Sequence, residues 1–299
     1  MRLPHLLGNE RLKAALADVR GDGFGSAALL EGPSGAGKRT AARDIALGLL
    51  CRGENAPCLV CPACRRALAG THPDLQTLLP LPDKKSVTVE QVRALRSASF
   101  IKPSEGDTKV FIIPNADRLN SQSQNALLKV LEEPQETVFL LLCENRYQLL
   151  PTVRSRCRFF SVQPLTVEYT ADELMRRGYE PHAAMDAARY ADGALGRSLE
   201  LLEGGEEKPT QSAQAFMEAY CTSELSVYEA CLAVGKLSRE EYDLFCDECR
   251  RLLALRYRET GEARATDVYE YIGKQQTTLL QNPSVPALAS ALAAFCAVR

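Results

Sequence analysis

The chain has 299 residues, 45% of them hydrophobic and 25% charged, with a formal net charge of -2. That length suits two or three domains of roughly 100 to 200 residues each, and the near-neutral balance excludes a globally basic surface and leaves any nucleic-acid contact to a local patch. No stretch reaches the roughly 18 apolar residues of a membrane span, and the opening MRLPHLLGNERLK has no signal-peptide core, so a cytoplasmic protein is expected.

In chain order, residues 27–31 (AALLE) read as a short strand that runs into the glycine-rich GPSGAGKRT of residues 32–40. Residues 38–50 have helical spacing, with Ile45, Leu47, Leu49 and Leu50 apolar. Residues 74–79 suggest a second strand, and residues 89–100 a helix after the turn-rich PLPDKKS. The continuous run VFII at 110–113 fits a strand buried on both faces of a parallel sheet. Ser121 and Gln124 form a capping-box pattern, opening a helix that stops before Pro134. VFLLLC at 138–143 and FFSV at 159–162 complete five strands alternating with helices, which implies an α/β domain with a parallel five-stranded sheet over residues 1–165. Residues 166–205 read as a small helical lid, GGEEKPTQS at 204–212 as a linker, and residues 210–299 as an all-helical domain of four or five segments.

Gly32, Gly35 and Gly37 allow the tight backbone of a phosphate-cradling loop at a helix N-terminus, and Lys38 supplies the cation. Between a strand and a helix this is a specific signal for a P-loop fold, able in principle to hold ATP or ADP. The residue after Lys38, normally a magnesium-binding Ser or Thr, is Arg39, and Thr40 lies one place further. After the strand at 110–113, where an Asp and a water-orienting Glu are needed for hydrolysis, stand Pro114 and Asn115; the nearest acid is Asp117. Hydrolysis by this chain alone is not expected, and a nucleotide held without turnover remains open.

Of eleven cysteines, Cys51, Cys58, Cys61 and Cys64 fall within one stretch directly after the P-loop helix. Four thiolates can close a tetrahedral shell round zinc with no open position, the pattern of a structural site. The pair Cys246 and Cys249 has no partners and reads as helix packing; Cys143, Cys221, Cys231 and Cys296 read as core. The segment PTVRSRCR at 151–158 carries three arginines, which fit either a solvated turn or a loop that offers Arg to a phosphate on another subunit.

GPSGAGK, the four-Cys insert after its helix, NALLKVLEEP at 125–134 and SRC at 155–157 together resemble bacterial clamp-loader subunits of the AAA+ class. The resemblance covers roughly residues 1–205 by motif and the remainder by length and position, which marks residues 210–299 as a collar domain for oligomerisation. It implies that Arg156 is an arginine finger acting in trans. It also implies that motor members keep Thr after the loop Lys and Asp-Glu after the buried strand, which this chain lacks. The family's sensing Arg in the lid is replaced by Gly196, with Arg197 one place on, and ENRYQ after Cys143 matches the motor pattern poorly.

The expected role is a largely non-catalytic clamp-loader subunit, in a heteropentamer with motor (gamma/tau) and delta subunits that opens a sliding clamp onto primer-template DNA. The alternatives are a motor subunit using Asp117 and Thr40, and a zinc-lidded nucleotide kinase, whose cysteines would form two separated pairs. Arg93 and Arg96 are candidate phosphate contacts or plain solvated helix positions.

Overall fold

The structure, a computed structural model, describes residues 1–17, 24–81, 87–132, 136–203, 207–279 and 283–297. Strands β1 (Ala27–Glu31), β2 (Leu75–Thr77), β3 (Lys109–Ile113), β4 (Thr137–Cys143) and β5 (Arg158–Ser161) form one sheet in the order β2-β3-β4-β1-β5. Every neighbouring pair is parallel. The interior strands β3 and β4 are buried at every residue, whereas the edge strands β2 and β5 are mostly exposed, so the uninterrupted apolar runs mark the centre of the sheet.

Alternation along each strand divides the core in two. Ala28 and Leu30 of β1, Val110 and Ile112 of β3, and Leu140 and Leu142 of β4 share one face with Ile45 and Leu47, which lie on α2 (Lys38–Leu50). The intervening Leu29, Phe111, Ile113, Phe139 and Leu141 turn to the other face, with Leu95, Leu127, Leu131 and Val153. These last four belong to α4 (Val89–Ser99), α5 (Ser121–Glu132) and α6 (Pro151–Arg154). The Phe111 and Phe139 rings stack at 5.5 Å across the β3–β4 register.

The remaining helices of this unit are α1 (Glu10–Ala17), α3 (Pro62–Leu68), α7 (Val167–Arg176), α8 (Pro181–Tyr190) and α9 (Leu195–Leu202). Residues Met1–Leu202 form one compact unit, the lid helices included, and Glu203–Arg299 form another. The second is built of α10 (Glu207–Thr222), α11 (Glu224–Val234), α12 (Arg239–Thr260), α13 (Ala263–Leu279) and α14 (Val285–Ala297). Phe216, Tyr242, Phe245, Ile272 and Leu292 centre its core. The Tyr242 hydroxyl donates to Gln275 Oε1 at 2.8 Å, and Gln275 Nε2 donates to the Leu288 carbonyl at 2.8 Å, which satisfies the polar groups buried there.

Three expectations need correction. Residues 207–212 of the expected linker are the first turns of α10; Pro209 is tolerated because N–H groups of a first turn have no intrahelical acceptor. Residues 204–206 lie outside the described residues, as do the Glu133 and Pro134 that close the NALLKVLEEP motif. Helix α5 is capped by Asn120 rather than by Ser121: Ser123 N–H donates to Asn120 Oδ1 at 2.8 Å. Gln124 instead ties two segments together, donating to the Leu119 carbonyl at 2.9 Å and accepting from Leu150 N–H at 2.7 Å. Cys221 is exposed and accepts from Arg256 Nη1 at 2.9 Å, while Cys143, Cys231, Cys246, Cys249 and Cys296 are buried.

Candidate functional site

The glycine loop leaves β1 at its C-terminal end and enters α2, where a parallel sheet gathers its ligand-binding loops. Gly35 and Gly37 have φ of +75° and +98°, conformations that side chains rarely adopt. The loop is also covered from the lid. Gly196 N–H donates to the Gly35 carbonyl at 2.9 Å, and a Cβ on Gly35 would stand 2.4 Å from the backbone N of Arg197. A Cβ on Gly196 would in turn stand 3.0 Å from the Gly35 Cα, so the bare backbone of both glycines lets α9 lie against the loop.

Lys38 is turned inward, with Nζ donating to the carbonyls of Gly32 at 2.6 Å and Pro33 at 2.8 Å. Burial pulls its ammonium below the ordinary lysine pKa, against the opposing attraction of Glu144 and Asp117. A bound phosphate chain would have to draw Lys38 away from these two carbonyls.

The acid nearest the absent metal ligand is engaged elsewhere. Asp117 Oδ2 accepts the N–H groups of Glu144 at 2.8 Å and Asn145 at 3.0 Å, fixing the turn after β4. Asn115, where a water-orienting carboxylate is needed, has φ 50° and ψ 44°. In the ENRYQ stretch, Asn145 Oδ1 caps Tyr147 N–H at 2.9 Å and Glu31 Oε1 accepts Arg146 N–H at 2.8 Å, so its polar groups hold the backbone.

The arginines on and after α6 divide by environment. The guanidinium of Arg154 lies 5.1 Å from the ring centre of Tyr147 and that of Arg158 5.1 Å from Phe160. Arg156 is exposed and held by hydrogen bonds, Nη1 to the Thr152 carbonyl at 2.9 Å and Nη2 to Glu132 Oε1 at 2.6 Å. Glu132 was not singled out from the sequence. The available signal was an acid in the last turn of a helix, where the dipole disfavours it. Arg93 and Arg96 lie exposed on α4, with Arg96 5.8 Å from the ring centre of Phe100.

The four cysteines converge. The Sγ atoms of Cys51, Cys58, Cys61 and Cys64 all lie within 4.8 Å of one another, close to the roughly 3.8 Å that separates thiolates at about 2.3 Å from a tetrahedral zinc. Backbone N–H groups point at the sulfurs: Cys58 N–H at Cys51 Sγ (3.3 Å), Cys61 N–H at Cys58 Sγ (3.4 Å) and Cys64 N–H at Cys61 Sγ (3.4 Å). Hydrogen bonds from Val60 and Cys61 draw the Cys58 thiol down to about 6, while burial pushes Cys64 up to about 12. The cluster can hold one metal ion such as zinc. Helix α3 opens on it with Pro62 at its first position, and Cys64 and Ala67 bury their side chains in the α2 face of the core.

A parallel sheet with this strand order, a glycine loop leaving β1 and a helical lid resting on that loop define a P-loop protein of the AAA+ class. Within that class, residues 9–166 match the model of the family described as DNA polymerase III, delta subunit, and the chain belongs to this family. It is 35% identical over 197 residues to DNA polymerase III subunit delta' of Bacillus subtilis strain 168, covering 65% of this chain and 59% of that one. It is 43% identical over 132 residues to the delta' subunit of Pseudomonas aeruginosa, covering 43% of this chain and 40% of that one. A further relative, DNA polymerase III subunit tau of Escherichia coli K12, is 35% identical over 227 residues, covering 71% of this chain and 35% of the relative. The chain thus spans about half the length of the delta' relatives it matches.

Proposed function

We propose that the chain acts as a delta-prime-like, largely non-catalytic subunit of a DNA polymerase III clamp loader, working in the cytoplasm at the replisome. It assembles with motor (gamma/tau) and delta subunits in a heteropentamer that places a sliding clamp on primer-template DNA. Arg156 completes the ATP site of a neighbouring motor, residues 210–299 serve as the collar, and the four cysteines hold one structural zinc. The observation that carries this reading is the division of duties at the sheet: Asp117 is committed to the turn after β4, whereas Arg156 stands at the surface, held by Thr152 and Glu132. A motor role would need Asp117 and Thr40 to take over metal and water positions, and Asp117 would first have to release two backbone N–H groups.

The test is ATP turnover of the chain alone and of the complex assembled with the motor and delta subunits of its own organism. The chain alone should show no magnesium-dependent hydrolysis. Within the complex, Arg156→Ala should slow one site by an order of magnitude or more, an arginine finger being worth about 10³- to 10⁵-fold. Robust turnover by the isolated chain, or failure to join the complex, overturns the reading.

A further inference from the structure

The two groups that hold Arg156 come from different helices. Thr152 belongs to α6 and Glu132 is the last residue of α5, and the two helices bury Val153 and Leu131 in one core. A carboxylate at a helix C-terminus faces the negative end of the dipole, so Glu132 is badly placed to support α5. Its partner is the guanidinium: the ion pair measures 2.6 Å, with Glu132 47% and Arg156 35% exposed. The flanking Arg154 and Arg158 lie against the rings of Tyr147 and Phe160. A guanidinium has five N–H donors in a rigid fork. Two of these are directed at Thr152 and Glu132, which leaves three for an incoming anion.

We infer that Glu132 is the positioning residue for Arg156: it fixes the guanidinium's orientation so that its remaining N–H groups meet a partner's phosphate without a further search of rotamers. The inference rests on the trans-finger reading above. A long, solvated arginine loses rotamer freedom when it docks, and a side chain already held by a carbonyl and a carboxylate has lost most of it beforehand, the advantage of preorganised donors in phosphoryl transfer. Because the pair is exposed, its effect is a few-fold and far smaller than that of Arg156 itself.

The experiment uses the complete complex with magnesium, ATP and primed DNA, and compares kcat and KM for Glu132→Ala, Glu132→Gln, Arg156→Ala and the double variant. Glu132→Ala should lower kcat about three-fold with KM for ATP essentially unchanged. Glu132→Gln keeps an acceptor oxygen at the same reach and should recover most of the loss. In the Arg156→Ala background, Glu132→Ala should have no further effect, since the two residues act as one unit. If Arg156→Ala is silent, the finger reading falls and this inference falls with it. If Arg156→Ala slows the complex while Glu132→Ala leaves kcat unchanged or raises it, the positioning role alone is overturned. An equal loss from Glu132→Ala in both backgrounds also overturns it, by making Glu132 a structural residue of α5.

Discussion

Asp74 is fully buried, and its carboxylate is met by the backbone N–H groups of Ser104 at 2.6 Å, Glu105 at 2.9 Å and Gly106 at 3.3 Å. Burial alone would raise its pKa, but these three donors together outweigh that effect and hold it below the ordinary carboxylate value. A pKa lowered by folding contributes stability that is present above the unfolded-state value of about 3.9 and is lost as pH falls through the folded-state value. Urea denaturation at a series of pH values should therefore show stability falling from about pH 5 downward. Asp74→Asn should cost about 1–3 kcal/mol at pH 7 and flatten that acid limb; parallel profiles for the two proteins would refute the assignment. No sequence pattern announces this role, because the donors lie 30 to 32 residues from Asp74. The same holds for Asp117, whose duty is 27 residues away, and for Glu132, 24 residues from Arg156. The glycine loop and the cysteines were legible for the opposite reason, since each is a local spacing that carries its own chemistry.

At the scale of elements, strands β1, β3 and β4 could be read from the sequence because burial on both faces demands unbroken apolar runs. The edge strand β2 is only Leu75–Thr77 and carries two exposed residues, so little in its composition sets its ends. The start of α5 was misread by one residue because Asn120 and Ser121 can both cap, and only the observed Ser123 N–H to Asn120 bond decides between them. The insert between α2 and α3 carries three of the four cysteines that could hold a metal ion. Among the described residues it has no strand of its own, and its sulfurs are held together by weak N–H···S contacts. Elemental analysis should find about one zinc per chain, and Cys61→Ser should lower the content several-fold, since a structural site needs all four ligands. Zinc absent from protein prepared without chelator would refute the site.

At the scale of the whole molecule, the chain divides into two compact units, and each is expected to fold alone. The sheet unit has a core on each face. The helical unit fully buries Phe216, Tyr242 and Phe245 in a core made only of its own residues, and its size of roughly 100 residues is that of an ordinary domain. Separately expressed chains of residues 1–202 and 203–299 should each give a cooperative urea transition and native-like far-UV circular dichroism, with zinc carried only by the first. If the helical fragment instead stays unfolded until mixed with motor and delta subunits, its core would be insufficient alone and its stability would belong to the assembly, as in obligate oligomers. The two outcomes are separable by protein concentration. A transition midpoint that is independent of it assigns the stability to the buried aromatic core, and one that rises with it assigns the stability to association.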